Sequence, residues 1–178
     1  MEIIHYSVLR LVLNAVENIG YPYFEVPTID NPRKLQERER VFCYELYHRM
    51  RQTQDNYCKS ITLNSKSNRA KRISLHSETP DFIFYVSETD ANDTAIIEVR
   101  NTRRMIENDI QKIDDLISQD KCKVGISLIY SQTFSSVEKY IKSLDELREI
   151  ENKDSIFIIA ASDPAHMKYK SLVKITGG

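Results

Sequence analysis

The chain is poor in several residues that mark common kinds of site. It has no tryptophan, four glycines and three cysteines in 178 residues. The glycines are scattered and form no GxGxxG or GxxxxGK[ST] pattern, so a dinucleotide or P-loop nucleotide site is not indicated. Cys43, Cys58 and Cys122 are odd in number and widely spaced. They indicate neither a zinc site nor a disulfide framework, and we interpret them as reduced thiols.

Long hydrophobic runs are also missing. No apolar stretch approaches the roughly 18 residues that cross a bilayer. Glu2, His5 and Arg10 interrupt the apolar pattern of the N-terminus, which argues against a signal peptide. Hydrophobic residues make up 41% and charged residues 29%, as in ordinary globular proteins. We expect one cytoplasmic domain over residues 1–178, with no membrane contact.

The chain lacks an excess of positive charge. Its net charge is −1, which excludes a generic electrostatic coat for nucleic acid. Residues Asn56 to Ser77 nevertheless contain no acid. This stretch is either a local basic patch for nucleic acid or a solvated loop. Its cations are Lys59, Lys66, Arg69, Lys71 and Arg72.

Hydrophobic periodicity predicts an α/β fold. The second half alternates strands and helices, which favours parallel pairing, and the two strands on either side of Ser87–Asp93 are expected to form an antiparallel hairpin. Together the elements predict a mixed central sheet flanked by helices, with two N-terminal helices. Predicted helices are Met1–Gly20, Arg33–Thr53, Thr102–Ser118 and Phe134–Glu151, and an extended connector is predicted at Tyr21–Pro32. Predicted strands are Ser60–Asn64, Arg72–His76, Asp81–Val86, Thr94–Arg100, Lys123–Tyr130 and Ser155–Ala161, with a short edge strand at Leu172–Ile175.

One carboxylate interrupts an apolar strand. Glu98 follows Ala95-Ile96-Ile97, where an unpaired charge is costly. If the hairpin places Asp81 beside Glu98, the two carboxylates need a proton or a cation between them. Hard divalent cations prefer such oxygen ligands. The alternative is structural: Pro80-Asp81 opens a strand, and Glu98 forms a same-face ion pair with Arg100.

These residues resemble the signature of the PD-(D/E)XK nuclease superfamily. Pro80-Asp81 is followed by sixteen residues and then by Glu98-Val99-Arg100. The order of predicted elements from about Gln36 to Ala161 is similar to the family core. The resemblance implies a restriction-endonuclease-like fold and a Mg²⁺- or Mn²⁺-dependent endonuclease acting on DNA. Asp81, Glu98 and the carbonyl of Val99 would hold the metal, and a homodimer would cut both strands.

The resemblance also implies a third acid on the helix before the hairpin. Glu45 is our candidate, ahead of Glu37 and Glu39, which lie nearer the helix start, where acids suit the dipole. The alternative for Glu45 is an ion pair with Arg49 one turn later. Arg100 stands where the family usually has lysine. Arginine supplies charge and donors to phosphate but does not act as a base. Lys112 or Lys71 is a candidate replacement.

The sequence allows three functional interpretations. Two of them use a site at Asp81 and Glu98, and the third has no site. In the first, the chain is a nuclease in which Arg100 engages phosphate, while Arg103, Arg104 and the basic stretch contact the DNA backbone. In the second, Arg100 marks a catalytically weakened or inactive nuclease fold that binds nucleic acid or assembles with partners. The third is an α/β interaction domain without a site, because fold alone does not fix function.

Overall fold

A computed structural model describes residues 2–27, 35–36, 38–57, 61–65, 80–86, 93–162 and 167–176. These residues form a mixed α/β arrangement in which helices flank a mixed sheet. The helices are α1 (Glu2–Glu17), α2 (Glu39–Tyr57), α3 (Ile106–Ser118), α4 (Phe134–Ile141) and α5 (Leu172–Thr176). The strands are β1 (Val26–Pro27), β2 (Leu35–Gln36), β3 (Ile61–Ser65), β4 (Phe82–Val86), β5 (Asp93–Arg100), β6 (Cys122–Tyr130), β7 (Ile156–Ala161) and β8 (Met167–Ser171).

The main sheet has six strands in the order β3-β4-β5-β6-β7-β8. β4 and β5 pair antiparallel, as predicted for the hairpin. β5, β6 and β7 pair in parallel, which confirms the prediction made from the alternation of strands and helices. β3 and β8 close the two sides as antiparallel neighbours.

Each face of the sheet is covered by its own helices. Phe42 and Leu46 of α2 pack with α1 against one face, to which Ile97 of β5 contributes. Ile96, the preceding residue, points into the opposite layer with α3, α4 and α5. This alternation places Glu98 on the face covered by α3.

Helix α3 lies unusually close to the sheet. Ile113 faces Gly125 of β6, and a Cβ atom added to Gly125 would overlap Cγ2 of Ile113. The missing side chain therefore creates the space into which the helix fits. This contact fixes the height of α3 above the middle of the sheet.

The start of α2 was predicted too early. Leu35 and Gln36 belong to β2, which pairs antiparallel with Val26 and Pro27, and the helix begins at Glu39. Residues 28–34 and residue 37 lie outside the described part of the chain. The predicted connector also contains a 3₁₀ turn, Tyr21–Tyr23, with a proline in its first positions.

Two predictions in the second half were also wrong. Helix α4 ends at Ile141 rather than near Glu151, and the hydroxyl of Ser143 donates to the carbonyl of Tyr140 at 2.6 Å. Such local side-chain bonds compete with helix continuation. Leu147 still reaches the core through a separate 3₁₀ turn.

The predicted edge strand at Leu172–Ile175 is instead part of helix α5, and the edge strand is β8. Leu172 and Ile175 are three residues apart and both buried, which suits one face of a helix. The predicted strand Ser60–Asn64 corresponds closely to β3, whereas Arg72–His76 lies outside the described residues. Among the described helices, none combines the length and apolar character that crossing a bilayer requires.

Candidate active site

The β4–β5 hairpin brings Asp81 and Glu98 together. Phe82 pairs with Ile97 in this antiparallel hairpin, so Asp81 lies opposite Glu98. Both acids are buried, with 6% and 0% of their surface exposed. Oδ2 of Asp81 accepts a hydrogen bond from the main-chain N–H of Val99 at 2.9 Å, which ties the start of β4 to the end of β5.

Arg100 places its guanidinium among the carboxylates. Its Nη2 lies 2.9 Å from Oδ1 of Asp109 and 3.2 Å from Oε2 of Glu98. Its Nη1 lies 3.3 Å from Oδ2 of Asp81. The same nitrogen donates to the carbonyl of Val99 at 3.0 Å. One side chain thus contacts three buried acids and the carbonyl that the resemblance names as a metal ligand.

Asp109 enters the site from the first turn of α3, where the helix dipole favours negative charge. It lies three residues after Ile106 and four before Ile113, so it belongs to the helix face that packs on the sheet. Only 2% of its surface is exposed. The site therefore contains a third buried carboxylate that the sequence analysis did not select.

Lys112 lies one turn further along α3 and contacts Glu98. Its Nζ is 2.6 Å from Oε1 of Glu98. The adjoining contact of Ile113 with Gly125 holds this part of the helix against the sheet. The two oxygens of Glu98 thus face different cations, Lys112 at Oε1 and Arg100 at Oε2. The side chain of Lys112 is 25% exposed as a whole, but its Nζ is buried.

Burial dominates the electrostatics of the site. It raises the pKa of Glu98 to about 7, although Lys112 acts in the opposite direction. Burial likewise raises the pKa of Asp109 to about 6, against the attraction of Arg100. Burial opposes the charge of Arg100 itself, but the surrounding carboxylates outweigh it and raise its pKa. Three carboxylates facing two cations leave an excess of buried negative charge.

Two buried polar atoms next to the cluster lack hydrogen-bond partners within the described residues. They are Oδ2 of Asp109 and Oγ of Ser127. Ser127 is the register partner of Glu98 on β6. Buried polar atoms are normally satisfied, and exceptions often mark a place for a water or an ion. The orphaned carboxylate oxygen and the excess negative charge both fit a bound cation.

The same cluster falls short of a complete protein cage for a metal. Within the described ranges, no group of three or more His, Cys, Asp and Glu side chains has the arrangement of a metal site. Magnesium keeps several of its waters and is commonly held by one or two carboxylates. The donor set of Asp81, Glu98 and the Val99 carbonyl suits such a cation, provided that Arg100 releases some of its contacts.

The predicted third acid, Glu45, has another partner. Its Oε1 lies 2.6 Å from Nε of Arg49, the alternative considered from the sequence. Glu45 is nearly buried, with 8% of its surface exposed. The acid of α2 that approaches the cluster is Glu39, whose Oε1 lies 3.9 Å from Nη1 of Arg100.

Of the residues predicted to contact nucleic acid, some lie outside the described part of the chain and two lie within it. Lys59, Lys66, Arg69, Lys71 and Arg72 lie outside the described residues. Arg103 and Arg104 are exposed in a 3₁₀ turn directly after β5. Arg103 donates to the hydroxyl of Ser136 and lies over the ring of Tyr140, 5.7 Å from its centroid. It therefore links this turn to α4.

An open groove of about 630 Å³ lies apart from the cluster. It runs between the first turns of α4 and strand β8, and Phe134, Glu138, Lys168 and Lys170 are among its lining residues. Lys170 is already engaged there, because it pairs with Glu138 and lies over the ring of Phe134. None of the predicted site residues lines this groove.

The chain matches no protein-family model, no curated protein and no solved structure. The residues of the cluster and their geometry are therefore what indicates a function.

Asp109 was not selected from the sequence, and Glu39 was ranked below Glu45. Asp109 could have been found, because it is a charged residue within the apolar face of α3, between Ile106 and Ile113. Glu39 gave no such signal, since an acid in the first turn of a helix is common. Its position depends on how α2 lies across the sheet, which the local sequence does not encode.

Proposed function

We propose that the chain is a divalent-metal-dependent nuclease of the restriction-endonuclease-like fold that hydrolyses DNA phosphodiester bonds. The observation that carries the proposal is the position of Asp81 opposite Glu98 at the end of the hairpin, where both contact the same cation. Two buried acids at that place need a positive partner, and a metal ion can serve where Arg100 now lies.

Each residue of the cluster has its own role in the proposed reaction. Asp81, Glu98 and the carbonyl of Val99 would hold Mg²⁺ or Mn²⁺. Such an ion lowers the pKa of a bound water and stabilises negative charge on phosphate. The carboxylates fix the position of the cation, and the burial of Glu98 excludes competing solvent from it. Before a metal binds, Arg100 holds the two carboxylates side by side, since it contacts each of them, and it would keep Asp109 as its partner afterwards.

A third acid would complete the site. The resemblance names Glu45, whereas the contacts of Arg100 favour Glu39. Glu39 has 40% of its side chain exposed and can therefore turn toward a metal-bound water. Glu45 would first have to leave Arg49.

Binding of DNA is proposed to involve the exposed turn after β5. Arg103 and Arg104 lie within six residues of Glu98 in the chain and carry positive charge to the surface. Contacts of this kind position the phosphate backbone without reading the base sequence. The basic stretch from Lys59 to Arg72 and a homodimer that cuts both strands remain part of the proposal.

A second candidate is a noncatalytic nuclease fold that binds nucleic acid or assembles with partners. The contacts of Arg100 favour it, because the guanidinium already takes the place that a metal would need. In that case, Arg100 acts as a permanent counter-ion and the cluster is structural.

Plasmid nicking distinguishes the two. Purified chain is incubated with supercoiled DNA in Mg²⁺, in Mn²⁺ and in EDTA, alongside Asp81→Asn, Glu98→Gln and the exposed control Asp115→Asn. The nuclease proposal predicts metal-dependent nicking that both cluster variants lose and the control keeps. DNA binding without nicking supports the second candidate. Failure to bind DNA or metal contradicts the nuclease proposal and the nucleic-acid-binding form of the second candidate, and leaves an α/β interaction domain.

A further inference from the structure

We propose that Lys112, rather than Arg100, is the catalytic cation that contacts the scissile phosphate. This inference rests on the proposed nuclease function and deepens it. The observation is that the two cations of the cluster are held very differently. Arg100 has several buried partners, whereas Lys112 has one contact at its charged end among the described residues, with Glu98.

Arg100 is not free to serve the substrate. Its two terminal nitrogens contact Asp81, Glu98, Asp109 and the carbonyl of Val99, all within 3.3 Å. If a metal takes over Asp81, Glu98 and the carbonyl of Val99, Arg100 still pairs with the buried Asp109 at 2.9 Å. Turning Arg100 toward a phosphate would leave that carboxylate without its partner, which is costly. Arg100 is therefore a positioning residue.

Lys112 meets the requirements that Arg100 does not. Its Nζ lies 2.6 Å from Oε1 of Glu98 and is itself buried, while the side chain as a whole is 25% exposed. A lysine has a flexible four-carbon stem and a compact charge with three donors. A metal held by that oxygen of Glu98 would leave Nζ without its partner, beside the place proposed for the phosphate.

The chemistry requires no proton from Lys112. The oxygen of the attacking water forms a bond to phosphorus, and the bond between phosphorus and the leaving oxygen breaks. The bonding electron pair stays with the leaving oxygen, which takes up a proton from solvent, and the attacking water loses its proton to solvent. The ammonium of Lys112 donates hydrogen bonds to a non-bridging oxygen, where negative charge increases in the transition state.

The height of α3 supports this assignment. Ile113 fills the space over Gly125, so Lys112 extends from a helix that is held in a fixed position over β6. A residue that must meet a substrate atom is more effective on such an element than on a loop. Asp109 extends from the same helix and holds Arg100 in place.

The test compares Lys112→Met, Lys112→Gln and Lys112→Arg with the control Lys123→Met, which changes a partly exposed lysine of β6 outside the cluster. Single-turnover nicking is measured in Mg²⁺, and Mn²⁺ affinity is measured without DNA by isothermal titration. We expect Lys112→Met to nick at least about 100-fold more slowly. Its Mn²⁺ affinity stays equal or becomes tighter, because a competing cation has gone. Lys112→Arg recovers part of the rate, and the control Lys123→Met stays close to wild type.

The results separate the failure of this inference from that of the proposed function. A wild-type chain that never nicks DNA contradicts the nuclease proposal and this inference with it. Wild-type nicking that persists within threefold in Lys112→Met overturns the role of Lys112 alone. Parallel losses of rate and Mn²⁺ affinity also overturn it, because Lys112 then only holds Glu98. If the methionine variant does not fold, Lys112→Gln and Lys112→Arg decide by the same two measurements.

Discussion

A Cβ atom on Gly125 would come within 3.1 Å of Cβ of Ile113 and would overlap its Cγ2. Helix α3 is therefore as close to β6 at this point as the two backbones and the isoleucine allow. Lys112 and Asp109 share that helix, and both reach carboxylate or guanidinium groups of β5. The distance between α3 and the sheet thus sets the geometry of the cluster.

Gly125→Ala should disturb both stability and the site. Overpacking of this kind costs about 1–3 kcal/mol in the free energy of unfolding, which urea denaturation measures. Because α3 must move outward, the ion pair of Lys112 with Glu98 should lengthen and nicking should fall. Gly20→Ala is the control, since the nearest atom to its added Cβ is 3.7 Å away. Equal stability of the two variants would contradict the proposed close fit.

Arg100→Met should destabilise the chain strongly in the absence of metal. It removes the guanidinium that contacts three buried acids. Breaking a buried charge pair by removing one partner costs about 3–5 kcal/mol. Arg148→Met removes an exposed pair with Asp145 and should change the free energy of unfolding by less than about 0.5 kcal/mol. The interpretation fails if the two variants unfold at the same denaturant concentration.

The stability of the metal-free chain should fall as the pH rises above 5. Burial raises the pKa of Glu98 from 4.5 to about 7 and that of Asp109 from 3.8 to about 6. Between those values the folded state binds more protons than the unfolded state, so a rise in pH favours unfolding. Urea midpoints at pH 5 and 7.5 measure the effect. Glu98→Gln should flatten the slope, and an unchanged slope in this variant would rule out Glu98 as its source.

Glu39 and Glu45 should respond differently to the loss of their charge. Glu39→Gln should weaken Mn²⁺ binding, because Glu39 is the α2 acid nearest to Arg100. Glu45→Gln should leave Mn²⁺ affinity unchanged and cost about 0.5–1 kcal/mol of stability, as expected for the loss of its partly exposed pair with Arg49. Isothermal titration and thermal melting measure the two effects. The reverse pattern would restore Glu45 as the third ligand.

Asp114 should matter for folding and not for cleavage. It is 5% exposed and accepts hydrogen bonds from the main-chain N–H groups of Glu151 and Asn152 at 3.2 and 2.8 Å. Asp114→Ala should cost about 1–3 kcal/mol, because two main-chain N–H groups lose a charged acceptor. Asp115→Ala, on the exposed side of α3, serves as the control. A rate of nicking per folded molecule that falls with Asp114→Ala would show that this acid also serves the site.

The main strands and much of the helical structure followed from local sequence. The apolar runs around Ile97, Ile126 and Ile158 correspond to the three parallel strands, because buried strands read as continuous apolar segments. Glu98 stood out as the charge within such a run. The end of α4 was not predictable from periodicity, since Leu144 and Leu147 continue its apolar pattern although Ser143 ends the regular helix.

The part of the site that could be predicted from the sequence is the part that the β4–β5 hairpin determines. Pairing of β4 with β5 follows from a short connection and places Asp81 beside Glu98. The remaining contacts need tertiary information. The approach of Glu39 depends on how α2 crosses the sheet, and the ion pair of Lys112 depends on the depth at which α3 sits over Gly125. Neither the crossing of α2 nor the depth of α3 can be predicted from a local stretch of sequence.

The strands of the main sheet follow one another in space in the order in which they occur in the chain. Each new strand can therefore attach to the one formed just before it, without waiting for a distant segment. Topologies dominated by nearby pairings fold faster than those built from remote ones. The segment from Asp81 to Lys112 contains most of the charged cluster, so these groups are already neighbours along the polypeptide when the sheet begins to grow.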